Sequence, residues 1–492
     1  MSTQTVQQQA PTLERQVHPL LLPGLVFACL VSAIVSSLGT PLLSAIASMD
    51  HVSAATSQWV LTSTMLAGAV ATPTLGRLGD GRHRRTVIIA ALAIVAIGCF
   101  IAALPVGFGL FLVGRALQGL GLSLTPLAIA AARDALPIEK ARPAVAVLSI
   151  TTVTGIGLGY PLTGVVAEAG GVHGAYWFGV GVAVLALVGA IVVVPRSRAR
   201  SSEPLDVIGA VLLAVGLCGL LLAISEGEEW HWASARTEIV LVASVVLLGV
   251  WVWHQLRTAH PLVTLGLLRH RAVLTANVAA VLAGVGMYLL LSLGVRFVQT
   301  PTSTGYGLGA SVIVGGLSLV PFSVGSFIAT RIAPAVARRT SHAAIVPMTC
   351  VILLAAMVMF TCARGSMWEI FVVMAIAGVG VGGIFAVVPG MLLRAVSTAE
   401  TASAMSFNQV LRYVGYAVGS ALAGAILATH TTPGRFYPGD SGYTVAGLIS
   451  CAMWIVTGVV TAVLARRIHE PPTPVDDRLL AEESLADAES AA

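Results

Sequence analysis

The chain consists of long apolar stretches, most of them about 20 residues, that follow one another along almost its whole length. An α-helix needs roughly 20 mainly apolar residues to cross a lipid bilayer. Asp, Glu, Lys and Arg make up 10% of the 492 residues, whereas soluble proteins contain about 25% of them. This composition disfavours a soluble protein, a disordered chain, a disulfide scaffold and a nucleic-acid binder. The sequence therefore predicts an all-α integral membrane protein.

The apolar stretches define about fourteen candidate membrane spans. They lie near 20–47, 57–77, 86–105, 107–132, 144–168, 174–195, 205–225, 237–257, 271–297, 310–333, 342–363, 368–393, 404–429 and 443–466. Basic residues follow every even-numbered span, whereas after the odd-numbered spans the exceptions are Arg236, Arg364 and Arg435. Because cytoplasmic loops are enriched in Lys and Arg, this alternation predicts an even number of spans with both termini in the cytoplasm.

A short repeat indicates that the chain contains two related halves. The segment 76–86 reads GRLGDGRHRRT and the segment 330–340 reads TRIAPAVARRT, so an Arg, an Arg-Arg pair and a Thr recur at a constant offset. Each segment lies between the second and third spans of a six-span block, and parallel halves of this kind are typical of transporters. The predicted organisation is a cytoplasmic N-terminal segment at 1–19, a six-helix bundle at 20–195, a linker with two inserted helices at 196–260, a second six-helix bundle at 261–467 and a disordered acidic cytoplasmic tail at 468–492.

The loop GRLGDGRHRR at 76–85 resembles the signature of the major facilitator superfamily. It contains Gly76, Gly79, Asp80, Arg84 and Arg85, and has His83 where the family usually has Gly. The two glycines permit close helix approach, and Asp80 can pair with an Arg or a helix N-terminus to latch an inner gate. The alternative is a solvated basic loop that only sets the topology.

The chain as a whole resembles the fourteen-helix drug:proton antiporter branch of that superfamily, the multidrug efflux type. The run from Pro204 to Trp232 is similar to its inserted seventh helix, and HPLVTLGLLRHRAVLTAN at 260–277 is similar to the entry into its second bundle. The resemblance implies two pseudo-symmetric six-helix bundles plus two inserted helices. It also implies a transporter without a cofactor.

Two further segments resemble motifs of the family. FLVGRALQGLGLS at 111–123 is similar to its second motif, in which the Arg, here Arg115, is associated with proton transfer. An Arg inside a membrane is costly, so Arg115 and the nearby Gln118 are candidates for proton coupling. Since an Arg stays charged, it would act by tuning a neighbouring group.

GIGLGYPLTG at 155–164 resembles the antiporter motif of exporters, with Tyr160 where a small residue is expected. Its small residues predict close packing and its proline a bend, and the residues concerned are Gly155, Gly159, Pro161 and Gly164. Ordinary small-residue packing remains the alternative for both segments.

Acidic residues are absent from the midplane of every predicted span. The resemblance leads us to expect an Asp in the first helix, but Val35 stands at the matching position. A proton-coupled carrier needs a titratable group whose pKa is shifted close to the pH at which the carrier works. Glu168 and Glu226, at the outer ends of spans five and seven, are the remaining candidates, and the alternative for each is an ordinary acid of an outer loop.

Three arginines, Arg115, Arg296 and Arg412, lie at predicted membrane depth. If they face a central cavity, the cavity is cationic and favours an anionic or zwitterionic amphiphile. The alternative for Arg296 and Arg412 is that each side chain extends to the membrane interface. Further candidates for the lining are Gln58, Trp59, Asn277, Tyr288, Asn408, Gln409 and Tyr413. Each of these polar and aromatic side chains could instead join one helix to another.

These observations predict a secondary-active exporter of a small amphipathic drug or metabolite in the plasma membrane, using alternating access and the proton gradient. The alternative is a facilitator, or an exporter of an anionic metabolite or lipid, without conventional proton coupling. The lone Lys140 follows Glu139, which excludes a Walker A site, and no cluster of His and acids suggests an enzyme or a metal. The expected partners are the bilayer, the substrate and protons, with no nucleic acid and a monomeric state.

Overall fold

The computed structural model describes residues 19–39, 42–52, 54–57, 59–196, 204–227, 229–337, 342–397, 400–432 and 437–465. Its first helices are α1 Leu21–Ser37, α2 Leu43–Met49, α3 Ala54–Ser57, α4 Trp59–Gly79, α5 Arg84–Ala103, α6 Phe108–Gly119, α7 Leu124–Ala135 and α8 Ile138–Val193. The helices α9 Val207–Glu226 and α10 Ala235–Gln255 follow. The remaining helices are α11 Arg271–Gln299, α12 Val312–Leu317, α13 Val320–Ala337, α14 His342–Cys362, α15 Met367–Leu393, α16 Thr401–Thr429 and α17 Asp440–Ala465. The all-α membrane fold predicted from the sequence is confirmed, since these ranges contain no strand.

Helices occupy all fourteen predicted spans. Within the described ranges, eleven helices are long and apolar enough to cross a membrane, so the number of crossings stays a prediction. Spans five and six merge into α8, which is interrupted at Gly171, where φ is 65° and ψ is −166°. This conformation is readily available only to glycine, and it separates an N-terminal from a C-terminal segment of α8.

The packing of the helices repeats between the two halves of the chain. In the first half, α1–α8, the contacts include α1 with α8, α5 with α8 and α4 with α6. In the second half, α11–α17, the equivalent contacts are α11 with α16, α14 with α17 and α13 with α15. Two parallel repeats produce such a correspondence.

The two halves meet mainly at two pairs of helices. The helix α4 of the first half packs against α16 of the second, and α8 of the first half packs against α13 of the second. The inserted helices α9 and α10 pack on each other, and α9 also contacts α4 and α16. The insert therefore lies along the side of the bundle where α4 and α16 meet.

Glycines allow the closest approaches at equivalent places in the two halves. A Cβ atom on Gly119 in α6 would overlap the carbonyl oxygen of Thr64 in α4. A Cβ atom on Gly378 in α15 would likewise overlap the carbonyl oxygen of Phe322 in α13. Because lipid is as apolar as a leucine side chain, close packing of small residues contributes much of the stability of such contacts.

Candidate functional site

A cavity lies between the two halves, within about three helical turns of the ends of α7 and α15 and of the starts of α8 and α16. Its empty volume, counted together with space open to solvent, is about 260 Å³. The first half contributes Thr125, Pro126, Ile129 and Ser149, and the second half contributes Phe385, Val388, Pro389, Met405, Asn408, Gln409 and Arg412. Polar side chains of α16 therefore face residues of α7 and α8 across the interface.

Arg412 brings a positive charge to this cavity. Its side chain is 5% exposed, and its guanidinium carbon lies 4.4 Å from the centre of the Phe385 ring. Its Nε atom is buried without a hydrogen-bond partner, and none of the lining residues is acidic. The guanidinium is thus stabilised by an aromatic face but, among the residues that the structure describes, by no carboxylate.

The neighbouring amides link the helices around the cavity. The Nδ2 atom of Asn408 donates to Oδ1 of Asn277 at 3.0 Å and to the carbonyl oxygen of Ala276 at 3.2 Å. The Nε2 atom of Gln409 donates to the hydroxyl of Tyr413 at 2.7 Å, and that hydroxyl donates to the carbonyl oxygen of Leu122 at 3.4 Å. Asn408 therefore joins α16 to α11, and Gln409 supports a contact between the halves.

Tyrosines form a cluster next to Arg412. Tyr288 and Tyr416 stack with their ring centres 4.4 Å apart, and Tyr413 lies 5.9 Å from Tyr416. Tyr160 of the first half, where the antiporter motif has a small residue, packs against α12, since its Cβ atom would lie 3.3 Å from a Cβ atom on Gly316.

Asp80 joins the halves at one end of the bundle, which we call the latch end. Its Oδ1 and Oδ2 atoms accept hydrogen bonds from the backbone nitrogens of Ala402 and Ser403 at 2.6 and 3.0 Å. These amides belong to the first turn of α16, whose N-terminus lacks intrahelical partners and favours a negative charge. Burial raises the pKa of the Asp80 carboxyl to about 6, although hydrogen bonds from Ser403 and Ala402 and the charge of Arg77 act against this rise.

Small residues and arginines surround Asp80. A Cβ atom on Gly76 would lie 3.0 Å from the carbonyl oxygen of Ala402, and one on Gly79 would overlap Leu127. Arg84 donates to the carbonyl oxygen of Gly79 at 2.9 Å and pairs with Asp134 at 3.0 Å. Arg85 donates to the carbonyl oxygen of Ile191 at 2.7 Å. Gly76 thus brings the halves together, whereas Gly79 makes room for α7 and the two arginines bind partners within the first half.

Arg133 forms a second bridge at the latch end, and no sequence motif marks it. It donates to the carbonyl oxygens of Leu393 and Val396 at 2.8 and 3.0 Å, and to Oγ1 of Thr401 at 2.6 Å. These acceptors lie at the end of α15 and the start of α16. A carbonyl acceptor leaves no mark in the sequence, so Arg133 was recognisable there only as a basic residue that follows a span.

Arg115 is fully buried within the first half and is absent from the lining of the cavity. It donates to the carbonyl oxygens of Val35 at 3.1 Å, Ser36 at 2.9 Å and Val60 at 3.2 Å, and to the side-chain oxygen of Gln118. Gln118 in turn donates to the carbonyl oxygen of Gly98 at 3.2 Å. At position 35, where an Asp was expected, a backbone carbonyl therefore solvates the Arg115 guanidinium by accepting a hydrogen bond.

The helix with the antiporter motif has two packed faces. A Cβ atom on Gly155 or Gly159 would overlap α1 within the first half, whereas one on Gly164 would lie 3.0 Å from Ile313 in α12. The backbone nitrogen of Pro161 would lie 3.3 Å from a Cβ atom on Gly316, also in α12. The motif therefore packs both inside its own half and against the other half.

The remaining candidates lie away from the cavity. Glu168 is exposed near the break in α8, and Glu226, just beyond the apolar part of α9, is 6% exposed. Burial raises the pKa of the Glu226 carboxyl, Glu229 adds to the rise and Arg236 opposes it. Trp59 is half-buried at the start of α4, and Gln58 lies outside the described residues.

The side chain of Arg296 is exposed on α11, and Arg296 is absent from the lining of the cavity. Of the three arginines predicted at membrane depth, Arg412 lines this cavity.

Comparison with known proteins identifies the family to which the chain belongs. The model of the Major Facilitator Superfamily matches residues 25–420. An uncharacterized MFS-type transporter of Mycobacterium tuberculosis is 30% identical over 372 residues, which are 72% of this chain and 52% of that protein. The chain thus spans about half the length of that relative. A multidrug resistance protein B homolog of the same organism is 27% identical over 377 residues, 75% of this chain and 68% of that protein.

Among solved structures, the human organic anion transporter MFSD10 (TETRAN) has a similar fold. The TM-score is 0.61 over 92% of this chain and 100% of that chain, at 16% sequence identity. At this level of identity the likeness concerns the fold alone.

Proposed function

The chain belongs to the Major Facilitator Superfamily, and we propose that it is a secondary-active exporter that moves a small amphipathic molecule by alternating access. Among its relatives is a multidrug resistance protein B homolog, which supports export of this kind. We also assign the chain to the fourteen-helix branch of the superfamily, on the strength of its inserted helix pair.

The observation that carries this proposal is a polar cavity between the halves, combined with contacts that bridge the halves at the latch end. Alternating access needs a site that both halves share and ends that open in turn. The cavity is lined from both halves, so a molecule bound there would contact both. At the latch end, Asp80 and Arg133 would have to release their partners before that end could open.

We further propose that the latch end faces the cytoplasm and that the proton gradient drives export from the plasma membrane. The basic loops after even-numbered spans support this orientation. Asp80 and Glu226 are buried carboxyls with a raised pKa, which suits them to proton exchange. The absence of acids from the lining of the cavity favours the alternative of a facilitator that works without protons.

Transport into proteoliposomes with an imposed pH gradient tests both mechanisms. The proposal predicts that fluorescein or rhodamine 123 accumulates against its concentration gradient, and that the accumulation collapses when an ionophore dissipates the pH gradient. Equilibration without accumulation would support the facilitator, and lack of transport of any dye in a broad panel would contradict both.

A cross-linking experiment tests alternating access separately. Cysteines replacing Arg133 and Val396 are joined by a cleavable bifunctional reagent, which would hold the latch end closed. Transport should stop and should return when the link is cleaved. A cysteine pair at Gly174 and Gly181, both within α8, is the matched control and should leave transport unchanged when linked.

A further inference from the structure

The charge of Arg412 lacks a counter-ion in the described part of the protein. Other buried arginines have full sets of partners: Arg115 donates to three carbonyl oxygens and an amide oxygen, and Arg364 pairs with Asp440 at 2.7 Å. Arg412 is 95% buried, contacts the face of Phe385 and has an unpartnered Nε atom. A buried charge is costly unless an opposite charge or hydrogen bonds compensate it.

The position of Arg412 makes its unused hydrogen-bonding capacity available to a ligand. The side chain lines the cavity between the halves, and the amide of Gln409 lines it too. A guanidinium presents its N–H groups in a planar fork that matches a carboxylate or a sulfonate. The second N–H of the Gln409 amide can add a further donor, since one donates to Tyr413.

The surroundings of Arg412 also favour an aromatic ligand. Phe385 lies against the guanidinium, and Tyr416 lies one helical turn along the same helix, stacked on Tyr288. Aromatic pairs stabilise each other by stacked and edge-to-face contacts beyond the area that they bury. Among the lining residues there is no acid that would attract a cation.

We propose that this site binds the anionic group of an aromatic amphiphile, with Arg412 as its counter-ion and the ring system against Phe385 and the tyrosine cluster. The substrate class of the transporter is accordingly aromatic organic anions. This inference depends on the proposed transport function for its biological meaning, whereas the binding step can be measured without transport.

The binding test uses two dyes with the same xanthene core and opposite charge. Fluorescein is an anion and rhodamine 123 is a cation at neutral pH, and their binding to the purified full-length protein in detergent is followed by fluorescence anisotropy. Fluorescein should bind at least about tenfold more tightly than rhodamine 123. The variant Arg412→Gln should lose most of this preference, because a charge-assisted hydrogen bond is replaced by a neutral one. Arg412→Lys should keep part of it.

Two further variants keep the test decisive if Arg412→Gln folds poorly. Gln409→Glu supplies an internal carboxylate beside an intact Arg412, so the fold should persist while fluorescein binding falls about tenfold or more. Arg296→Gln removes an exposed arginine outside the cavity and should leave binding unchanged. Equal or tighter binding of rhodamine 123, or fluorescein binding that Gln409→Glu leaves intact, would overturn the inference.

Transport of the same dyes separates this inference from the proposed function. Export of rhodamine 123 without fluorescein would keep the exporter and overturn the anionic substrate class. Binding of fluorescein that depends on Arg412, without transport of any dye, would support the site and contradict the exporter.

Discussion

The Oδ1 atom of Asp80 lies 2.6 Å from the backbone nitrogen of Ala402, across the boundary between the two halves. Asp80 directly follows α4 in the first half, and Ala402 lies in the first turn of α16 in the second half. The first amides of a helix have no partner within it. The carboxylate therefore completes the N-terminus of α16, and it can do so only while the latch end is closed.

Replacing Asp80 by Ala should loosen this N-terminus. The amides of Ala402 and Ser403 would lose their acceptor, at a cost of about 1–3 kcal/mol for each buried donor left unpaired. Hydrogen exchange measured by mass spectrometry should therefore become roughly tenfold or more faster in the segment 401–406. Asp134→Ala is the control, because Asp134 pairs with Arg84 in the first half. Unchanged exchange in Asp80→Ala would show that the contact does not hold the latch.

The latch should also respond to pH through Asp80. Its pKa is about 6 in the closed form and near its ordinary value of 3.8 when exposed to water, so the closed form binds a proton more readily. Protonation therefore stabilises the closed latch. This contribution, at most about 3 kcal/mol, is complete below pH 3.8 and is lost as the pH rises through 6.

Distances between spin labels across the latch end measure this effect. Labels at the exposed positions 82 and 394, one in each half, should give a larger closed population at pH 5 than at pH 7.5. In Asp80→Asn, which does not titrate, the difference should disappear. A closed population that grows with rising pH would give the opposite sign and contradict the prediction.

Arg296 and Arg412 illustrate what the sequence alone could and could not predict. The helices and their order follow from apolar length and loop charge, which are local properties. The local sequence does not determine whether each arginine faces lipid or the protein interior. Both surroundings are apolar, so a membrane helix shows no clear polar side. Arg296 is exposed and Arg412 lines the cavity, although both lie in apolar helices.

The hydrogen-bond partners of Asp80, Arg133 and Arg115 could also be predicted from the sequence to different degrees. The partner of Asp80 was among the contacts expected from the motif, because a carboxylate near a helix N-terminus is a recurring arrangement. The partners of Arg133 and Arg115 are mostly backbone carbonyls, and every residue has one. Which carbonyl is within reach depends on the packing of several helices, so these contacts appeared only in the structure.

At the end opposite the latch, a larger residue at position 157 should keep the halves apart. A Cβ atom on Gly157 would overlap Oγ of Ser323 and lie 3.1 Å from the carbonyl oxygen of Leu319 in the second half. Gly157→Leu should therefore shift the population towards a form that is open at this end, since overpacking costs about 1–3 kcal/mol.

Spin labels at Glu168 and Ser303, both exposed at that end, should report longer distances in Gly157→Leu. Gly181→Leu is the control, because a Cβ atom there would meet nothing within 4 Å. Distances that match those of the unmodified protein would mean that α8 and α13 tolerate the side chain without separating.

Arg115→Lys should destabilise the first half although the charge is kept. Arg115 reaches acceptors on α1, α4 and its own helix through three nitrogen atoms of one planar group. An ammonium is a single point with three donors, so at least one buried carbonyl loses its partner, at a cost of about 1–3 kcal/mol. The apparent melting temperature in detergent should fall by several degrees, whereas the exposed control Arg296→Lys should melt like the unmodified protein. An unchanged melting temperature combined with lost transport would contradict a structural role and favour the proton-coupling role that the motif suggests.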